Sequence, residues 1–285
     1  MVQWWSIILL MASVLWIAGC KDNSTNPNSD ATANEDAAET IAAAMGDDNG
    51  GAMDQIGDVT DLASSTGIVG KIQANGLAKS ENGQSFVKVY NATTQKWTGV
   101  LFRVKISSMG YGAWIYRKME WQFKKGAVPQ QNFITSVDTA SSIDFKILEG
   151  KASAKTPKLN HTVDSLTASW TITNTNTPTV TINGNVYRSA YDTVTTRNVT
   201  RTLRNFLSLT YTNVTATRGN RATVASTASG TVTGTFDATV TFLKGTSYSE
   251  KTIHRDINVT FSGGTGSISV GGKTFNCNMG IGMLK

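Results

Sequence analysis

From residue 67 onward the chain keeps one rhythm: Thr, Val, Ile, Phe and Tyr alternate with polar residues, and Gly and Asn punctuate. An alternation of period two places successive side chains on opposite faces, which is the pattern of half-buried strands joined by tight turns. Thr98, Val100, Phe102, Val104 and Ile106 fall on one face of a strand, with Arg103 and Lys105 on the other. Residues 107–112 (SSMGYG) read as a turn, and 113–123 as the return strand. The faces of that return strand carry Ile115, Met119, Trp121 and Phe123 against Trp114, Tyr116, Lys118 and Glu120. Asn183-Gly184 and Gly271-Gly272, each flanked by β-branched residues, predict type I′ hairpins. Long strands are expected over 206–217, 230–243 and 252–261. No strand is followed by a helix, so parallel βαβ units are not expected. The prediction is a mainly β chain with a large antiparallel up-and-down sheet of about ten strands, as a half-barrel, barrel or sandwich.

Composition narrows the class. Charged residues make 16% and hydrophobic residues 40% of the chain, and Pro occurs 4 times. That excludes a disordered acidic chain, collagen, a coiled coil and a polytopic membrane protein. Two Cys and two His exclude a zinc finger, a disulfide scaffold and a His-rich metal site.

The first residues carry an address. Residues 2–19 hold no charged side chain, and the run stops at Ile17-Ala18-Gly19-Cys20, followed by Lys21-Asp22-Asn23. A branched residue, two small residues and Cys resemble the lipobox of bacterial lipoproteins. The resemblance implies cleavage between Gly19 and Cys20, a diacylglycerol on the Cys20 thiol and an acyl chain, such as palmitate, on its freed amine. Two or three acyl chains anchor stably, at about 0.8 kcal/mol per buried methylene. No Lys or Arg precedes the apolar run, a departure from the usual signal, so the terminal amine supplies its positive charge. Lys21-Asp22 partly resembles the signal that sends some Bacteroidetes lipoproteins to the cell surface.

The expected organisation is a signal peptide over 1–19, lipidated Cys20 with a flexible tether over 20–30, an acidic helical segment over 31–66 and a basic antiparallel β domain over 67–285. Within 31–66, Ala37, Ala38, Ile41, Ala42 and Met45 recur at helical spacing, and Met53, Ile56, Val59 and Leu62 resume it after Gly46–Gly51. Asp47, Asn49 and Gly51 begin like a calcium loop but fail by its fifth position, so the stretch reads as a break between two short helices. A half-barrel needs its concave face filled, and these helices are the candidates.

Charge divides along the same boundary. Residues 21–66 hold one Lys and ten acids, a net −9; residues 67–285 hold 25 Lys or Arg and ten acids, a net +15. One reading is a polyanion-binding surface over 86–125, with Lys105, Arg117, Lys118, Lys124 and Lys125 interleaved with Trp114 and Trp121. Arg188, Arg197, Arg201, Arg204, Arg218 and Arg221 form a second basic group, although Arg204 points away from Arg197 and Arg201. The competing reading puts these charges on solvent faces and strand edges, with the acidic segment neutralising part of the field.

Catalytic signatures are missing. There is no G-x-S-x-G elbow, P-loop or H-E-x-x-H, and Gly263–Gly266 reads as a turn. His254 alternates with Thr252 and Asp256, the pattern of a surface ion pair, and His161 lies in a polar stretch. Cys277 shares a face with Phe275 and Met279, a core position. No pair of acids is singled out by spacing for glycosidase chemistry. Three triplets, at Asp138, Asp164 and Asp192, resemble the Asp-Ser/Thr-apolar sequon of Bacteroidetes O-glycosylation.

The lipobox, polar tether, Ala-rich helical stretch and Thr-rich hairpins ending in SISVGGKTFNCNMG together resemble envelope lipoproteins of the Bacteroidetes–Chlorobi lineage. The resemblance implies an outer-membrane location in a Gram-negative envelope, on the periplasmic face or the cell surface, and implies no activity. The expectation is a lipid-anchored structural or interaction module without catalysis, needing no cofactor beyond its acyl chains. The rivals are a carrier of an apolar or amphiphilic ligand in the concave face, and a surface protein binding acidic glycan. The membrane is the expected partner through the anchor, and nucleic acid is not expected.

Overall fold

The alternation resolves into a single sheet. The computed structural model describes residues 29–65, 67–68, 83–106, 110–196, 199–244 and 247–285. Cys20, Gly19, Arg197 and most of the tether lie outside the described residues. Two helices come first, α1 (Asp30–Met45) and α2 (Ala52–Leu62). The strands follow: β1 (Gly83–Asn91), β2 (Lys96–Ile106), β3 (Gly112–Lys125), the short β4 (Val128–Gln130), β5 (Ser142–Lys155), β6 (Leu159–Thr173), β7 (Thr179–Thr196) and β8 (Val199–Thr217). A 3-10 turn (Arg221–Thr223) and the one-turn α3 (Val224–Thr227) interrupt them. Then come β9 (Ser229–Lys244), β10 (Ser247–Ser262), β11 (Thr265–Val270), β12 (Lys273–Asn278) and β13 (Met283–Leu284).

These make one 13-stranded antiparallel sheet in chain order, with β4 set aside against β3. Among the described residues β1 pairs with β2 and β13 with β12, so the hydrogen-bonded ladder has two ends. The architecture is mainly β and up-and-down, as the alternation predicts, with more strands than the ten or so expected because β4 and β13 are too short to show a pattern.

Helix α1 begins where Ser29 caps it, the side-chain oxygen accepting from the Thr32 amide at 3.2 Å. Its Ala-rich sequence favours helix and leaves a thin rod. Nearly the whole rod is buried, including Asp36, Glu39 and Thr40, and it touches β6 as well as β11, β12 and β13. Strands so far apart in the sheet reach one helix because the sheet curls around it. Helix α2 lies against β8, α3 and the 3-10 turn. The Ala, Ile and Met side chains of both helices share one core with the inward residues of the strands, among them Leu101, Ile115, Phe145, Trp170, Leu207 and Phe236.

Two expectations need correction. Asn183-Gly184 makes no hairpin: β7 runs through it, with a register shift between Ile182 and Gly184. The glycine is required because Trp170 packs over it; a Cβ there would meet Ser169 O at 2.1 Å and the Trp170 ring at 2.9 Å. The backbone φ of +139° is likewise one that other residues avoid. The Gly271-Gly272 turn does join β11 to β12. On β2 the charges do not line solvent. Leu101 and Arg103 are buried and Lys105 turns toward α2, while Val100 on the apolar face is 40% exposed. The acids of α2 supply the reason.

Candidate functional site

Helix α2 carries Asp54, Asp58 and Asp61, spaced four and three residues apart, and so on one face. That face meets four cations from three elements. Arg103 on β2 places Nη1 2.8 Å from both Asp54 oxygens and Nη2 2.9 Å from Asp58 Oδ1. Arg117 on β3, completely buried, bonds Asp58, lies 2.8 Å from Asp54 Oδ2 and donates to the Gly50 carbonyl at 2.7 Å. Arg221, from the 3-10 turn, reaches Asp54 at 2.8 Å, Asp61 at 3.0 Å and Asp58. Lys105 joins Asp47 at 2.8 Å and Asp54 at 3.3 Å. Four carboxylates face four cations, so the cluster is neutral as a set.

Burial pushes the Asp54 carboxyl up, but Arg103, Arg117, Arg221 and Lys105 outweigh it and hold the group well below the usual carboxylate range. Asp58 is lowered by the same contest between burial and arginines. At the rim burial wins over Arg221, and Asp61 is raised. The lattice engages both oxygens of Asp54 and both of Asp58 with guanidinium groups, so neither of these two carboxylates is a free base. It cross-links α2 to the sheet. A similar tie holds α1: Arg201 on β8 grips Asp36 with Nε at 2.6 Å and Nη2 at 2.8 Å. Arg255 and Lys251 on β10 reach Asp30 at 3.0 and 2.9 Å.

A second buried cluster faces inward from β6, β7 and β8. His161 Nδ1 bonds Asp192, and Asn205 donates to the other Asp192 oxygen at 2.6 Å. Arg188 Nη1 lies 3.0 Å from His161 Nε2. A guanidinium can only donate, so Nε2 accepts from Arg188 and the ring N–H is the Nδ1 that faces Asp192. Burial pushes Arg188 down to about 10, with Asp192 acting against it. A His–Asp pair needs a nucleophile beside the free imidazole nitrogen to act as a triad. Here Arg188 occupies that nitrogen, so the pair is set up to hold the guanidinium, not to take a proton from a substrate.

The polyanion patch does not assemble. Arg117 and Lys105 are committed to α2, and Trp121 is buried between Phe86 and Trp97, each ring 6.1 Å away. Trp114, Lys118 and Lys124 share the opposite, outward face of β3, where Trp114 stacks on Phe102. Lys124 is paired with Asp144, and Lys125, at the strand end, with Asp138 at 3.1 Å. The second group is dispersed too: Arg188 and Arg201 point inward, Arg204 outward, and Arg221 belongs to the α2 lattice. Arg218 donates to the Thr175 carbonyl at 3.0 Å. His254 pairs across the sheet with Asp237 at 2.5 Å, on the exposed face and not with Asp256. Asp192 is buried within its triplet. Burial pushes the Cys277 thiol up to about 11, which suits its core position. Among the described residues no group of His, Cys, Asp and Glu is gathered to hold a metal ion.

Sequence reasoning missed the His161–Asp192–Arg188 cluster. Its one signal is that Arg188 and Asp192 share parity with Val186, Ala190 and Val194 on a single strand. Searches for similarity against protein-family models, curated proteins and solved structures found no match.

Proposed function

We propose that this chain is a lipid-anchored protein of a Gram-negative outer membrane, attached through Cys20, whose folded part is a structural or interaction module without catalysis. The anchor rests on the lipobox-like Ile17–Cys20 and the polar tether behind it. The module reading is carried by one observation: the inward side of the sheet, where a carrier would hold its cargo, is occupied by the chain's own α1 and α2, fastened by buried ion pairs. Contact with a partner then falls to the outward face. Tyr187 and Tyr191 on β7 stand 47% and 40% exposed there, with Phe206 on β8 opposite Ser189 between them. An acidic-glycan surface is left with Trp114, Lys118 and a pair of lysines that already have acidic partners.

The test is expression of the full chain in a Gram-negative host with radiolabelled palmitate. The expected result is a labelled, shortened protein in the membrane fraction and an unlabelled, unprocessed Cys20→Ser protein. Equal processing of the two proteins, or no label in the wild type, overturns the anchor.

A further inference from the structure

Two arginines on the inward face present the same fork and meet different fates. The side-on edge of a guanidinium, Nε–H with Nη2–H, matches the two oxygens of a carboxylate. On Arg201 that edge is filled by Asp36, at 2.6 and 2.8 Å. On Arg188, one strand away, it is open. Nη1 is used by His161, and Nε and Nη2 are buried with no acceptor among the described residues. Arg188 is itself 6% exposed.

The neighbourhood holds one further unmatched acceptor, Asn205 Oδ1 beside Asp192, and more unmatched donors. Tyr211 on β8 interacts electrostatically with Arg188, and its buried hydroxyl has no partner. Trp170 packs on Tyr211 at 5.1 Å, and its indole N–H is also buried without a partner. Leu166 and Leu207 flank Arg188 in register on β6 and β8. Unmatched buried donors are costly, and here they outnumber the single unmatched amide oxygen of Asn205, so the Arg188 fork calls for a further acceptor. Asp192 faces Arg188 only through His161 and is already engaged by His161 and Asn205.

We propose that the Nε/Nη2 edge of Arg188, with the Tyr211 hydroxyl, is an internal receptor for one carboxylate, that of a small organic acid. A single negative charge answers a single guanidinium. A phosphate dianion would bring a second charge with no second cation engaged at this fork, and its third oxygen would be left among Leu166 and Leu207. The inference stands apart from the lipid anchor and from partner contact on the outward face. It places an acid inside the plugged shell, at a point that the helices leave without a carboxylate.

The experiment uses the full chain, purified in detergent and extracted with organic solvent, then titrated separately with carboxyl-13C palmitate and carboxyl-13C acetate and read by the carbon shift. The expected result is one saturable site for acetate. Tyr211→Phe should weaken it about tenfold, the loss of one hydrogen bond to a charged group, and Arg188→Met about a hundredfold. Acetate alone, or both acids, supports a site that reads the carboxylate; palmitate alone overturns it. Saturable binding that neither variant weakens overturns the assignment, as does binding of neither acid to the wild type. If Arg188→Met does not fold, Tyr211→Phe, which keeps the ring, decides.

Discussion

Asp54 is the residue on which most charges converge, and its chemistry sets how the protein should respond to acid. Its carboxyl and that of Asp58 are held low by arginines. A group whose folded pKa is depressed stabilises the fold above its unfolded value, near 4, and loses that contribution as pH falls through the folded value. Asp36, Glu39, Asp48 and Asp61 have the opposite sign: burial raises each of them. Protonating those four favours the folded state, so they add stability as pH drops from neutral toward the unfolded value. The expected profile has two limbs. The urea midpoint should hold or rise slightly from pH 7 to about 4.5, then fall steeply below about pH 4. A steady decline from pH 7 would mean that the α2 lattice does not control acid unfolding. That the acidic segment offsets part of the basic field was legible in the residues, but the individual pairs were not. Arg103 and Lys105 alternate with apolar neighbours as surface cations do, and only the acids opposite them turn that face inward.

At the scale of elements, the turn between α1 and α2 is the joint that sets the plug in place. Its backbone is clamped by the C-terminal segment. The Asp47 and Asp48 amides donate to the carbonyls of Met279 and Gly280 at 2.9 and 2.8 Å. The Asn49 side chain donates to Ile281 O at 3.1 Å. Gly46 permits this approach, since a Cβ there would lie 2.4 Å from Gly282 Cα. Gly46→Val should therefore destabilise the protein by about 2 kcal/mol through overpacking, seen as a lowered urea midpoint with an unchanged slope. An unchanged midpoint would show that the turn is not seated against the tail. The sequence marks Gly46–Gly51 as a break between helices, and that reading holds. What the break docks against lies more than two hundred residues away, beyond the reach of any local pattern. The Asn183-Gly184 misreading has the same origin. Flanking β-branched residues and Asn-Gly fit a hairpin locally, but Trp170 on the neighbouring strand uses the glycine for packing.

For the whole molecule, the central fact is that the charge asymmetry is answered within the chain. Six acids of the helical segment, Asp30, Asp36, Asp47, Asp54, Asp58 and Asp61, pair with seven bases of the remainder: Lys105, Arg103, Arg117, Arg201, Arg221, Lys251 and Arg255. A plug held by so many charged ties should not open independently of its shell. Native-state hydrogen exchange should give the amides of α1 protection close to that of β6 to β9. Exchange from α1 many orders of magnitude faster than from those strands would mean that the plug leaves the sheet, and would restore the carrier reading.

The sequence by itself determined the β class, the antiparallel order, the two short helices and the break between them, because each follows from periodicity, propensity and turn chemistry within a dozen residues. The tertiary structure alone decided which face of β2 looks inward, that the sheet curls around α1, and that Arg188 keeps an open fork while Arg201 does not. The physical reason is that alternation fixes which side chains share a face, but not which face is buried. That choice depends on what stands opposite, and here buried carboxylates from a distant helix made the charged face of β2 the inner one.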